Sequence, residues 1–530
     1  MLGSGWQPDK VRVNTQRVSL FNEYKCGLTK NKFHSRINNW HNKLSHYLYV
    51  AKKMITNLAS TLKSKRIAVI GGGIAGSTIA LRLAGLDINV TLFEEGVSLV
   101  NGPPVCHLHA GGNLYPDISD DQCLTLLEQS IATMKIYPHC INKRPTVIAI
   151  PQRDAGNIET LLPRLELLTQ RYKALISVDE SNKVLGEPDD YYQMFTRDDL
   201  ELLKSATQPS KIAQFSDWMI PLAKTLDLNS VKFPLLMVQE YGLSLFRIAA
   251  STELSLNASP SCNLLVNNKV INIAYTTNKT WLITHSENSV QTTTEVDYLI
   301  NACGYRTGVI DDMADTPKER MVEFKAAYIT HWQQSEHWPE VVFHGERGTP
   351  EGMAQLTPYP DGYFQLHGMT EEITLFKNGL AKTTNNSAQP KLDKSFINKL
   401  VQGWDEQESN SRTQKAINHI SHFIPSFNDA TIAGRPLFGA QQIPGKDVSL
   451  RAYDVSFEGQ QYARAEIVKA SSALTVADQI IHKLFDYSYA QLSEASNPNS
   501  SFVTLSERDI DKLACNIAQD RNYPTSLAKI

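Results

Sequence analysis

The amino-acid sequence predicts an α/β chain: one domain built on a buried parallel sheet and split in sequence, with a second α+β domain of mainly antiparallel sheet inserted into it. Three observations predict this. Arg66–Glu95, "RIAVIGGGIAGSTIALRLAGLDINVTLFEE", reads as an apolar strand, a glycine turn, an amphipathic helix and a second strand ending in acid. Two later stretches, 263–284 and 296–307, read again as strands, the second running "VDYLINACGYRT". The long mixed regions around them carry no second glycine turn, which suits a separate domain.

In order along the chain, residues 1–64 are polar and basic with little periodicity. They read as an N-terminal extension, either flexible or forming a surface helix around "YLYVAKKMITNLA". The strand over Arg66–Ile70 is nearly all apolar, as burial on both faces requires. A helix is expected over Ala75–Leu86, a strand over Asn89–Glu94 and a helical region over Ser119–Tyr137. "TVIAI" at 146–150 opens the second domain, assigned 146–256 and 310–425. The first domain then takes 65–145, 257–309 and 426–485. Its last piece contains "TIAGRPLFG", "LRAYDVSFEGQQ" and a long helix pattern over Tyr462–Phe485. The tail, 486–530, has a linker-like "EASNPNSS" and one weak helix.

Composition narrows the classes of function. With 42% hydrophobic and 20% charged residues and a formal net charge of -3, the 530-residue chain offers no electrostatic case for nucleic acid. No run of eighteen apolar residues marks a transmembrane segment. Seven scattered cysteines without CxxC spacing suit a reducing cytoplasm and signal no zinc site, so no metal is expected. No secretory signal pattern opens the sequence. The expected location is cytoplasmic, with peripheral contact at the inner face of the membrane left open.

The glycine turn carries the chemistry. Gly71, Gly73 and Gly76 have the spacing G-x-G-x-x-G: the first for a tight turn, the second for close approach to a pyrophosphate, the third for strand–helix packing. The helix start at Ile74 and Ala75 offers unpaired N–H groups and a positive dipole end to phosphates. Glu94, 18 residues after Gly76, ends the next strand where it can accept from a ribose hydroxyl, with Glu95 as the alternative ligand. An acid there favours FAD or NAD over NADP. "NGPPVCHLHAGGNLYP" (101–116) turns the choice toward flavin, because Gly111 and Gly112 allow backbone against a flat ring. His109, or else its neighbour His107, is then a candidate beside that ring.

Together "IAVIGGGIAGSTIALRLAGLDINVTLFEE", "HAGGNLYP", "LINACGYRT" and "IAGRPLFG…VSFEG" resemble the FAD-dependent oxidoreductases of the D-amino-acid oxidase and glycine oxidase superfamily. The resemblance implies a split Rossmann-type FAD-binding domain covered by a mainly antiparallel substrate domain. It also implies that Ala110, Gly111 and Gly112 lie at the isoalloxazine, Val270 near the adenine and Gly304 at the pyrophosphate. Asp454–Gly459, with Ser456 and Gly459, would close over the ring. Two departures stand out: "GAQQIPG" lacks the acid the family often shows after its Arg-Pro, and "VSFEG" is poor in glycine.

The implied reaction is hydride transfer from a small amine or amino acid to flavin, with electrons passed to O₂ or a quinone. A carboxylate substrate calls for arginine. Arg435 and Arg451 are candidates, with Arg306 behind them. "FHGERGTPEGMAQLTPYPDGYFQLHGM" (343–369) adds His344 and Tyr359, together with Glu346, Arg347 and His367. The alternatives are an NAD-dependent dehydrogenase, a flavin monooxygenase and a nucleotide-bound module without turnover.

Overall fold

A computed structural model describes residues 65–101, 108–109, 118–448, 450–451, 453–459, 461–485 and 505–530. Ile67–Ile70, Ala-Val flanked by two isoleucines, is buried on both faces at the centre of a six-stranded sheet. The strand order is 454–458, 462–466, 298–301, 67–70, 90–93, 262–265. All neighbours are parallel except the hairpin partner 454–458 at one edge. Helices Ile74–Gly85, Leu245–Ala258 and Ala473–Phe485 pack together beside this sheet. An antiparallel three-stranded sheet, 269–275, 281–287 and 290–296, contributes Ile273, Trp281 and Ile283 to a core shared with Ala68, Ile70 and Phe93.

The second, ten-stranded sheet is antiparallel except where Glu340–Phe343 lies parallel to Thr146–Ala149. Its spine is Arg320–His331, twelve residues buried almost to the last. The apolar stripes of helices Phe215–Thr225 and Glu406–Ser421 share its core through Met219, Leu222, Ile417 and Ile420. The chain is thus a mixed α/β structure with two principal sheets. Among the described residues no helix is long and apolar enough to cross a membrane.

Three elements differ from the sequence reading. Tyr462–Glu466 is a strand and the helix begins only at Ala473. Its "YARAE" carries charged residues that ordinarily mark a helix face, but here both are fully buried in ion pairs. Arg464 Nε meets Asp311 Oδ1 at 2.6 Å, and Glu466 Oε1 accepts from Arg320 Nε at 3.0 Å. Leu437–Pro444, read into the first domain, pairs along Arg320–Ala327 in the large sheet, because its alternating apolar residues complete that buried surface. Helix Leu245–Ala258, read into the second domain, packs on Ile74–Gly85 and Cys262–Leu265.

Arg320, Asp311, Arg464 and Glu466 join the two sheets where the large one departs from the small. Each is fully buried, so removing any one strands an uncompensated charge.

One buried histidine sets an acid limit on stability. His419 stands within 3.1 Å of the Gly352 carbonyl, and burial, with Arg153 and His422 nearby and Glu351 opposing, draws its pKa down to about 4. Its folded pKa is below the ordinary 6.5, so the unfolded chain binds the extra proton between pH 6.5 and 4. Stability present above pH 6.5 is therefore lost on acidification through this window, by up to about 3 kcal/mol. Urea unfolding at pH 7 and pH 4.5 should show a smaller acid loss for His419→Asn than for the parent. An equal loss in both would remove His419 as the cause.

Candidate functional site

Open α/β sheets place ligands beyond the carboxyl ends of their parallel strands. A cavity of about 540 Å³ lies there, within the usual size of a small-molecule site. Each parallel strand delivers residues to its wall: Gly71 and Gly73 after the first, Glu94–Gly96 after the second, Asn268 and Val270 beyond 262–265, Ala302–Arg306 after 298–301, and Ile467–Ala470 after 462–466. The cavity continues to the large sheet, where Lys325, Arg347, His367, Gln441 and Gln442 line it together with Arg451.

The glycines divide the work at the near end. Gly71 has φ +99, and a Cβ there would stand 2.6 Å from the Ala302 carbonyl oxygen. A Cβ on Gly76 would stand 1.8 Å from the Gly71 carbonyl oxygen, so helix and strand meet only without a side chain. At Gly73 nothing lies within 4 Å of that position, and the space belongs to the cavity. Gly73 caps the helix in extended conformation with no side-chain cap, leaving the first N–H groups to whatever enters. Glu94 accepts from Gly72 N and Gly96 N, each at 2.6 Å. Glu95 instead pairs with Arg306 and, at 3.4 Å, with Lys269. Glu94 is the acid tied to the glycine turn.

At the far end, Glu323 is ion-paired with Arg347 and, at 2.9 Å, with Lys325, whose Nζ also donates to Gln441 Oε1 at 3.0 Å. Burial alone would raise the Glu323 carboxyl, but the two cations outweigh it and hold it below its ordinary value. Burial pulls the Lys325 ammonium down, against the attraction of Glu323. Arg347 Nε, a donor, and Gln442 Oε1, an acceptor, are buried atoms of wall residues without a hydrogen-bond partner among the described residues. Both atoms are covered, so what the wall presents to a polar ligand is the charge of Lys325, Arg347 and Arg451. Cys303, also on the wall, has its thiol pushed up by burial.

Of the residues singled out in the sequence, Gly71, Gly73, Ile74, Ala75, Glu94, Glu95, Val270, Gly304 and Arg451 line the cavity. So do Arg306, Arg347 and His367. Others sit elsewhere. Gly76 packs beneath the turn. Arg435 lies over the Phe438 and Tyr523 rings, 5.3 Å from each centroid, and does not line the cavity. His344 donates its backbone N–H to the Ala149 carbonyl, and Tyr359 Oη bonds Gln365 Oε1 at 3.3 Å; neither lines the cavity. Ser456 accepts from Arg464, and Gly459 is exposed. Their strand is the antiparallel edge, so it is the next segment, Ile467–Ala470, that reaches the cavity. His109 forms a two-residue strand with Leu108 against Gly242–Leu243. The His109 side chain, His107, Ala110, Gly111 and Gly112 lie outside the described residues.

Lys325, Gln441, Gln442 and Lys469 escaped the sequence reading. A signal existed for the first: Glu323 and Lys325, two apart in the otherwise apolar "MVEFKAAYI", point to one face of a strand.

The sequence matches no family model and no curated protein. Solved structures match in fold. L-α-glycerophosphate oxidase from Mycoplasma pneumoniae superposes with a TM-score of 0.53 at 15% identity, over 80% of this chain and 95% of that one. L-amino acid deaminase from Proteus vulgaris gives 0.52 at 11%, over 84% and 96%. Glycine oxidase from Geobacillus kaustophilus gives 0.50 at 12%, over 80% and 95%. This chain shares its fold with these three proteins. At these identities the likeness is one of fold alone.

Proposed function

We propose that this chain is an FAD-dependent oxidoreductase that takes a hydride from a small amine or amino acid. The observation that carries the reading is the single cavity running from the uncapped helix start and Glu94 to the polar wall of Arg347, Lys325 and Gln442. Gly71, Gly73, Ile74 and Ala75 would hold a pyrophosphate, Glu94 an adenosine ribose and Val270 the adenine side, as the resemblance implies. A bound flavin supplies the two-electron acceptor that no side chain of the protein provides.

The protein's own part is recognition. Both a glycine oxidase and a glycerophosphate oxidase share the fold, so fold leaves the donor open and the wall must decide. Arg347 would offer its guanidinium charge to a carboxylate, with the Gln442 amide on the same wall. Lys325, whose pKa burial lowers, can hold or release a proton at Nζ beside the same wall. Electrons then leave for O₂ or a quinone.

Anaerobic mixing with panels of amines, amino acids and 2-hydroxy acids tests the reading. Loss of the yellow flavin band with an amino acid or amine is expected. Bleaching only by a reduced nicotinamide would replace it with a monooxygenase or reductase, and bleaching by nothing with a binding module.

A further inference from the structure

The C-terminal residues 505–530 read in sequence as a tail, yet they are fastened at three places. Ile510, Ala514, Ile517 and Ala518 of helix Glu507–Asp520 are buried, and this helix packs on Leu245–Ala258. There the buried Arg247 meets Asp511 and, at 2.5 Å, Glu507. Beyond the helix, Tyr523 Oη donates to the Pro436 carbonyl at 3.0 Å. Ser526 Oγ and Lys529 Nζ reach Asp361 Oδ2 at 2.7 and 2.8 Å.

A further fastening, at Arg521 between the first two of these, meets the cavity wall. Arg521 Nη1 donates to the Val100 carbonyl at 3.1 Å, and Nη2 donates to the Leu99 carbonyl at 2.6 Å and to Ser98 Oγ at 2.9 Å. Its guanidinium lies over the Phe246 ring, 5.7 Å from the centroid. Val100 lines the cavity and holds φ +55, a left-handed conformation that a β-branched residue adopts only under constraint. Its own N–H donates to the Gly72 carbonyl at 2.8 Å. A continuous line of hydrogen bonds therefore runs from Arg521 through the Val100 peptide groups to the glycine turn.

We infer that the C-terminal segment is a strap that holds loop Gly96–Asn101 against the glycine turn, with Arg521 as the positioning residue for the nucleotide end of the cavity. This rests on the proposed nucleotide site. Arg521 touches the loop and not the ligand, so its loss raises the energy of the binding-ready turn without removing a cofactor contact. Three hydrogen bonds of ordinary strength correspond to roughly tenfold or more in affinity.

Arg521→Ala, Arg521→Lys and the control Lys512→Ala are compared with the parent by two measurements. Amide hydrogen exchange of residues 96–101 is followed in cofactor-free protein, and FAD affinity is measured beside kcat at saturating FAD. Arg521→Ala should speed exchange in this loop and weaken FAD roughly tenfold with kcat kept. Arg521→Lys should fall between, and Lys512→Ala, at an exposed position of helix Glu507–Asp520, should match the parent. Unchanged loop exchange in Arg521→Ala, or faster exchange spread evenly over the molecule, overturns the strap. A parent that binds no FAD defeats the cofactor reading instead, and the exchange comparison still decides the strap.

Discussion

Gly73→Val is expected to fold as the parent does and to bind FAD roughly a hundredfold more weakly, whereas Gly76→Val is expected to lose both stability and cofactor. The two glycines are three residues apart, but they face different neighbours. A side chain at Gly73 meets no protein atom within 4 Å and enters the cavity, over the helix N–H groups that no cap satisfies. Its backbone, at φ -64, suits any residue. At Gly76 the added Cβ collides with the Gly71 carbonyl oxygen at 1.8 Å and approaches the Ala302 Cβ at 3.2 Å. Gly71 cannot yield, being itself pressed on Ala302, so helix and sheet must part, at a cost of about 2–4 kcal/mol. Thermal melting and FAD titration of both variants check this pair. Parental FAD affinity in Gly73→Val would mean that the phosphates lie elsewhere.

Arg347→Met should cut kcat/KM for amino acids by about 10–10² while leaving FAD content unchanged, as hydrogen bonds to a charged group contribute about 1.5–3 kcal/mol. The substitution keeps much of the side-chain volume and removes the guanidinium from the cavity wall. Glu323 retains Lys325 at 2.9 Å, so the wall keeps one of its two ion pairs. An amine lacking a carboxylate should lose less than about tenfold, because the arginine fork has nothing to grip on it. Steady-state kinetics on matched amine and amino-acid pairs provide the check. Equal losses on both would show that Arg347 supports the wall rather than recognising the substrate.

How much was legible follows from where each signal resides. The glycine turn and Glu94 were readable because their chemistry is local: the strand, turn, helix and acid lie within thirty residues of one another. The second sheet was readable as a class, but Leu437–Pro444 was misplaced, since only its distant partner Arg320–Ala327 determines where it pairs. Tyr462–Glu466 was misread because its buried charges answer Asp311 and Arg320, residues more than a hundred positions away. The resemblance implied Asp454–Gly459 over the ring, whereas it is Ile467–Ala470 that lines the cavity. On the far wall, Arg347, His367 and Arg451 were found by residue type, whereas Gln442 was not. A glutamine matters there only because burial leaves its oxygen without a partner, which no sequence pattern records. The C-terminal segment was dismissed for its weak helix pattern, yet its holdfasts are Arg247, Pro436 and Asp361, each supplied by another part of the fold.

The central claim is that the cavity beyond the parallel strands holds FAD. Its most direct test is to unfold the purified protein and identify the nucleotide released, after incubation with FAD and NAD together and removal of the excess. The account predicts FAD in an amount matching the protein. NAD in its place, or no nucleotide from protein shown to be folded, would contradict it.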